Sequence, residues 1–161
     1  MKMTEVYKVV SRFPDSSLHS AFVFSSYALD VTYAPGKVST PPIGYLFAFD
    51  SRQNAVGFAS RLYLEILRYI TTPETRPAII EVWSAETTKA KRPRFKKMLV
   101  SLGRIIDDYP AFWRGGSARS RLMRANCREI WWQDSVPKGT LLCPDLKLIN
   151  LIERFGVLEA L

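Results

Sequence analysis

Ala78-Ile79-Ile80-Glu81-Val82-Trp83-Ser84 is the stretch on which the fold turns. Ile79, Ile80, Val82 and Trp83 suit a pleated, packed backbone, so the run reads as a strand. Glu81 and Glu86 lie five apart. If the strand continues through both, they point to opposite faces and cannot act as an acid/base pair. Both are expected to be solvent-exposed structural residues.

Upstream, Thr71-Thr72-Pro73 ends a helical pattern. Asp50 and Ser51 offer the N-cap. Ala55, Phe58, Ala59, Leu62 and Ile66 recur at helical spacing on one face, with Arg52, Gln53, Arg61, Glu65 and Arg68 mostly elsewhere. Before this helix, residues 44–49 form an apolar, aromatic strand. Residues 39–42 are extended, because each residue before a proline leaves the helical region. Residues 6–13, 18–24 and 29–33 read as strands separated by the turns Pro14-Asp15-Ser16-Ser17 and Ala34-Pro35-Gly36-Lys37. Downstream, Glu129-Ile130-Trp131-Trp132 returns to strand character and Pro137-Lys138-Gly139-Thr140 is a turn. Residues 141–152 make one or two closing strands, interrupted near Cys143-Pro144-Asp145. The expected fold is α+β: a single domain over 1–161 with a mainly antiparallel sheet and one long helix after Asp50. Its body covers 1–86 and 129–161, and a helical basic insertion covers 87–128.

The chain has 161 residues, 47% of them hydrophobic and 12% aromatic, enough for one domain with a real core. No apolar run approaches the ~18 residues of a membrane helix. Met1-Lys2-Met3-Thr4-Glu5 runs into a strand-like pattern without a signal-peptide core, so synthesis in the cytoplasm and no membrane partner are expected. Cys127 and Cys143 are then expected to be reduced thiols.

The charge is concentrated. Residues 87–128 hold twelve of the 23 basic residues against Asp107 and Asp108, a local charge of +10. The remaining 11 basic and 13 acidic residues leave −2 for the rest of the chain. A clustered positive field attracts polyanions or acidic protein faces. The expected binding surface is Lys89, Lys91, Arg92, Arg94, Lys96, Lys97, Arg114, Arg119, Arg121, Arg124 and Arg128. Residues 89–97 read as an extended arm. Residues 96–109 carry an apolar helical stripe of Met98, Leu99, Leu102, Ile105, Ile106 and Tyr109, stopped by Pro110. Its lysines sit at the positive end of the helix dipole and its aspartates at the negative end, which opposes helix formation. Beyond Trp113-Arg114-Gly115-Gly116, Ser117 caps a helix on which Arg121, Arg124 and Arg128 form one stripe. On nucleic acid these cations would contact phosphates while Phe95 or Trp113 stacks on bases. On an acidic protein, Arg and Trp would be the anchors.

Tyr7-Lys8-Val9-Val10-Ser11, Leu18-His19-Ser20-Ala21-Phe22, residues 44–51, Glu81-Val82-Trp83 and Pro137-Lys138-Gly139-Thr140-Leu141-Leu142 form a pattern that resembles small uncharacterised α+β proteins of large DNA viruses and bacteriophages. The resemblance covers the body and skips residues 87–128. It implies a setting rather than a reaction: synthesis in an infected host, with incorporation in the virion or action on a host component.

Catalytic and metal sites are not expected. His19 is the single histidine, no GxSxG turn accompanies it, and the two cysteines lie far apart. No calcium-loop pattern is present, and no cofactor is expected. Arg12, Ser39-Thr40 and Glu81 overlay the ADP-ribosyltransferase pattern of an early-strand Arg, a Ser-Thr segment and a later strand Glu. The expected polar residue two positions before the Glu is Ile79, so such an enzyme is the remote alternative. The leading expectation is a non-enzymatic viral interaction protein, a minor virion component or host-component binder, using the basic surface. A nucleic-acid-binding accessory protein is the alternative.

Overall fold

A computed structural model describes residues 2–21, 31–69, 79–100, 109–126 and 132–156. Strand β1 (Thr4–Arg12) turns into β2 (Leu18–Ser20) through a tight connection. There Ser16 adopts φ 70° and the Asp15 carboxylate accepts from the Ser17 amide at 2.9 Å. Short strands β3 (Thr32–Tyr33) and β4 (Val38–Ser39) flank the Gly36 turn, and β5 (Leu46–Phe49) follows. Helix α1 (Arg52–Tyr69) starts as its cap residues dictate, with Ser51 Oγ accepting from the Asn54 amide at 3.2 Å. Next come β6 (Ile79–Thr87), β7 (Lys97–Val100), α2 (Tyr109–Arg114) and α3 (Gly116–Asn126). Strands β8 (Trp132–Ser135), β9 (Thr140–Cys143) and β10 (Leu146–Phe155) complete the described residues.

The central pair is β1 against β6, antiparallel from Thr4↔Thr87 to Arg12↔Ile79. The other edge of β6 takes β10, which carries two register shifts, between Leu148 and Asn150 and between Leu151 and Glu153. Such bulges bend and twist a strand. The other edge of β1 is shared by β2 and, at Tyr7↔Phe49, by β5. β5 pairs with β9, and Leu142 of β9 pairs with Lys91, just past the end of β6. The circuit β6–β1–β5–β9 thus nearly returns to its start, and the sheet is barrel-like.

This corrects the expected α+β class. The protein is mainly β, and the sheet curls round to make a core from its own strands. Val6, Val10, Trp83, Ala85, Leu46, Leu141 and Cys143 pack together there. No long helix organises the architecture. α1 covers one outer face, where Ala55, Phe58, Ala59 and Leu62 meet Val9, Ile80 and Val82. β6 is therefore packed on both sides and buried almost throughout, which is why its sequence is a near-continuous apolar run rather than an alternation.

The basic segment also departs from a helical insertion. Lys97–Val100 form strand β7, paired with β8 as a separate two-stranded ribbon from Lys97↔Ser135 to Val100↔Trp132. Cross-strand pairing replaces a helix whose charges would oppose its own dipole. Residues 101–108, the rest of that expected helix, lie outside the described residues. Pro110 does not stop a helix. It sits in the first turn of α2, where its missing N–H costs nothing. α3 begins at Gly116, after Gly115 and Gly116 take φ 75° and 54°, so Ser117 lies inside its first turn rather than at its cap.

Candidate nucleic-acid interface

Lys91 is fixed by its backbone. Its amide donates to the Leu142 carbonyl at 3.0 Å, and its carbonyl accepts from the Leu142 amide at 2.8 Å. This anchors residues 91–95 against the barrel wall, one strand away from β5. The Lys91 ammonium then lies 4.2 Å from the centre of the Tyr45 ring and donates to the Tyr45 hydroxyl at 2.8 Å. Arg92 Nη2 pairs with Asp50 Oδ2 at 2.7 Å. Asp50 also accepts from Asn54 at 2.9 Å, and these two hydrogen bonds, the Asn54 one foremost, hold its carboxyl below the usual range.

Helix α2 docks beside this segment through aromatic rings. Phe112 is buried, and its ring lies 5.1 Å from Trp113 and 5.0 Å from Phe95. Trp113 packs on Phe47 at 5.5 Å and lies against Gly44. A Cβ at Gly44 would stand 2.2 Å from Trp113 Cδ2, so only glycine admits the indole. Arg119 of α3 reaches back over this cluster. Its guanidinium lies 4.6 Å from the Phe95 ring and 4.8 Å from Phe112, and Nε donates to the Phe112 carbonyl at 2.6 Å. Burial lowers the Arg119 pKa, but guanidinium stays protonated.

These groups converge on one open cleft of about 440 Å³. Lys91, Arg92, Arg94 and Arg119 supply its charge, and Tyr45, Phe95 and Trp113 supply ring surface. Its volume falls in the ~300–1,000 Å³ range of ligand pockets. Of the expected binding residues, the structure gathers Lys91, Arg92, Arg94 and Arg119 here. Lys89, Lys96, Arg114 and Arg121 are exposed outside the cleft lining. Lys97 and Arg124 lie in β7 and α3, but their side chains are outside the described set, and Arg128 lies outside the described residues. The arginine stripe of α3 is therefore described only at Arg121. Arg119, expected on the surface, is instead half-buried over aromatic rings. Tyr45, Asp50 and Phe112 belong to the site and were not expected there. Tyr45 follows Gly44 in a stretch that reads as buried strand, which hides its role.

Glu81 is the second charged cluster, and its expected solvent exposure is overturned: it is 0% exposed. Arg12 donates to both its oxygens at 2.8 and 3.0 Å, Arg154 Nε to Oε2 at 2.7 Å, and Trp83 Nε1 to Oε1 at 2.9 Å. Burial pushes the carboxyl pKa up, but the bonds from Arg12, Arg154 and Trp83 outweigh it, and the net shift is downward. Ser39, the second element of the ADP-ribosyltransferase overlay, pairs with Leu146 at the other end of β10 from Arg154. At ~3.3 Å per residue that separates it from Glu81 by roughly 25 Å, so the structure does not bring those residues together.

Inside the barrel, Lys8 is 5% exposed and its ammonium donates to the Phe47 carbonyl at 2.5 Å. Burial brings its pKa down to about 8. Burial also pushes the Cys143 thiol up to about 11. Cys143 is a free thiol as expected, whereas Cys127 lies outside the described residues. His19 stands beside Ser17, with Nε2 2.7 Å from Ser17 Oγ, and its ring meets Phe13 edge-on. Among the described residues there is no His/Cys/Asp/Glu cluster able to hold a metal, and no helix is long and apolar enough to cross a membrane.

No family model, no curated protein and no solved structure matches this chain.

Proposed function

We propose that this chain is a non-enzymatic binding protein that takes up nucleic acid through the cleft between residues 91–95 and helices α2 and α3. One observation carries the reading: cations distant in sequence, Lys91 to Arg94 on one side and Arg119 on the other, converge on the same concave surface as three aromatic rings. Clustered cations neutralise phosphates and release counterions. Lys89, Lys96 and Arg121 extend the positive field beyond the cleft and steer a polyanion toward it. The resemblance to small viral proteins supplies the setting, an accessory protein acting in an infected cell or packed in a particle.

A salt series tests the reading. Binding of labelled oligonucleotides is measured between 50 and 300 mM salt, beside poly-glutamate as an acidic polypeptide. Three or four phosphate contacts predict a log–log slope of roughly −2 to −3. Absence of oligonucleotide binding at low salt, with poly-glutamate retained, would replace this reading with an acidic protein partner.

A further inference from the structure

We infer that the cleft is built for single-stranded nucleic acid, with an unpaired base stacked on Tyr45 and its phosphate held by the neighbouring cations; this rests on the nucleic-acid reading above. The inference comes from how the rings are placed. Phe112 is buried and serves to hold α2. Tyr45 and Phe95 are only half-buried, and both border the open cleft. A cation already lies over a ring in each case: Lys91 over Tyr45 at 4.2 Å and Arg119 over Phe95 at 4.6 Å.

A duplex gains little from such a surface. Its bases are stacked on one another, and their faces are not available to a concave wall. A single strand exposes both parts at once. The base lies flat on the Tyr45 ring, and the Lys91 ammonium, displaced toward solvent, meets the adjoining phosphate. Arg92 and Arg94 follow Lys91 directly and continue along the backbone of the strand. Stacking of one base on an aromatic side chain is worth ~1–3 kcal/mol. That corresponds to about 5- to 150-fold in affinity, and it is independent of base identity.

Lys91 also donates to the Tyr45 hydroxyl, so the ring and the hydroxyl have to be tested separately. The experiment compares a labelled 12-nucleotide single strand with a 12-base-pair duplex by fluorescence anisotropy at 50 mM salt, using the full chain. Wild type is expected to prefer the single strand at least fivefold. Tyr45→Leu is expected to remove that preference while leaving duplex affinity within twofold. Tyr45→Phe, which keeps the ring, is expected to retain it. Equal affinity for both forms in wild type would overturn the single-strand inference and leave the nucleic-acid reading standing. A preference that survives Tyr45→Leu, with a native thermal melt, would also overturn it. Binding to neither form would end both.

Discussion

Arg12 and Glu81 face each other across the central strand pair β1–β6, with two hydrogen bonds of 2.8 and 3.0 Å between the guanidinium and the carboxylate. Arg154 and Trp83 complete the cage around Glu81. A fully buried carboxylate in such a cage is held in place by its partners and in turn fixes the register of β6 against β1 and β10. Removing its charge leaves two guanidinium groups short of a counterion. Glu81→Gln is expected to cost about 3 kcal/mol, the low end for breaking a buried pair, because Arg12 and Arg154 keep 16% and 35% exposure. Urea unfolding measures it. The folded pKa of Glu81 is depressed, so its contribution is present above the unfolded value of ~4.3 and is lost as pH falls through the folded one. Wild type should therefore lose stability on acidification more steeply than Glu81→Gln. With its oxygens engaged in this way, incubation with labelled NAD and host lysate is expected to transfer no label.

The interior of the barrel titrates in the alkaline range. Lys8 falls to about 8 in the folded state, so between pH 8 and ~10.4 the unfolded chain binds more protons and stability rises with pH. Cys143 is raised to about 11, so above the unfolded thiol value of ~8.5 its contribution runs the other way and stability falls. Lys8→Met is expected to be more stable than wild type at pH 7, and the advantage should shrink as pH rises to 10. Cys143→Ala should remove the opposing loss above pH 9. Urea midpoints for the three proteins at pH 7, 8, 9 and 10 give both differences.

Much of this fold was legible because its strongest elements are local. The near-continuous apolar run at 79–84, the Asp15–Ser17 turn, the Ser51 cap and the break at Pro144 all carry their reasons within a few residues. Closure of the sheet is different. It depends on Tyr7↔Phe49 and Lys91↔Leu142, contacts between residues remote in sequence that no periodicity encodes. Glu81 shows the same limit. Its neighbours along the chain gave no sign that Arg12 and Arg154, 69 and 73 residues away, would neutralise it. The basic residues were legible as charge but not as a surface. Only the fold separates Arg119, drawn under the cleft by Phe95 and Phe112, from exposed Arg121 two positions on. At Lys97–Val100 the apolar spacing favoured a helix, while the lysines against the dipole already argued for something else.

Gly44 is the position where backbone conformation and the cleft meet. Its φ of +67° and the indole 2.2 Å from any added Cβ both exclude a side chain. Gly44→Ala is expected to push Trp113 off β5 and loosen α2, costing about 1–3 kcal/mol as an overpacked site does. Tryptophan emission should shift to the red. Oligonucleotide affinity should fall as well, although no cation has been changed, because Trp113 and Arg119 both reach the cleft from the helices that move.

Asp50 stands in the cleft region as an internal rival to phosphate. Its Oδ2 lies 2.7 Å from Arg92 Nη2, with 63% of the Arg92 side chain and 29% of the Asp50 side chain exposed. An ion pair this exposed is worth about 0–1 kcal/mol, so a phosphate oxygen displaces the carboxylate at little cost. Asp50→Asn keeps a hydrogen-bonding group toward Asn54 and releases Arg92. Its affinity for an oligonucleotide is expected to rise about two- to fivefold, with a salt slope steeper by roughly 0.7, the increment for one more phosphate contact on a single strand. Arg92→Ala should lower affinity and flatten the slope by the same amount. The double variant decides the cause. If Asp50 acts by holding Arg92, then Asp50→Asn gains nothing once Arg92 is alanine, and the cycle shows coupling close to the whole gain. A gain that persists in the Arg92→Ala background would instead mean that Asp50 repels phosphate directly through its charge.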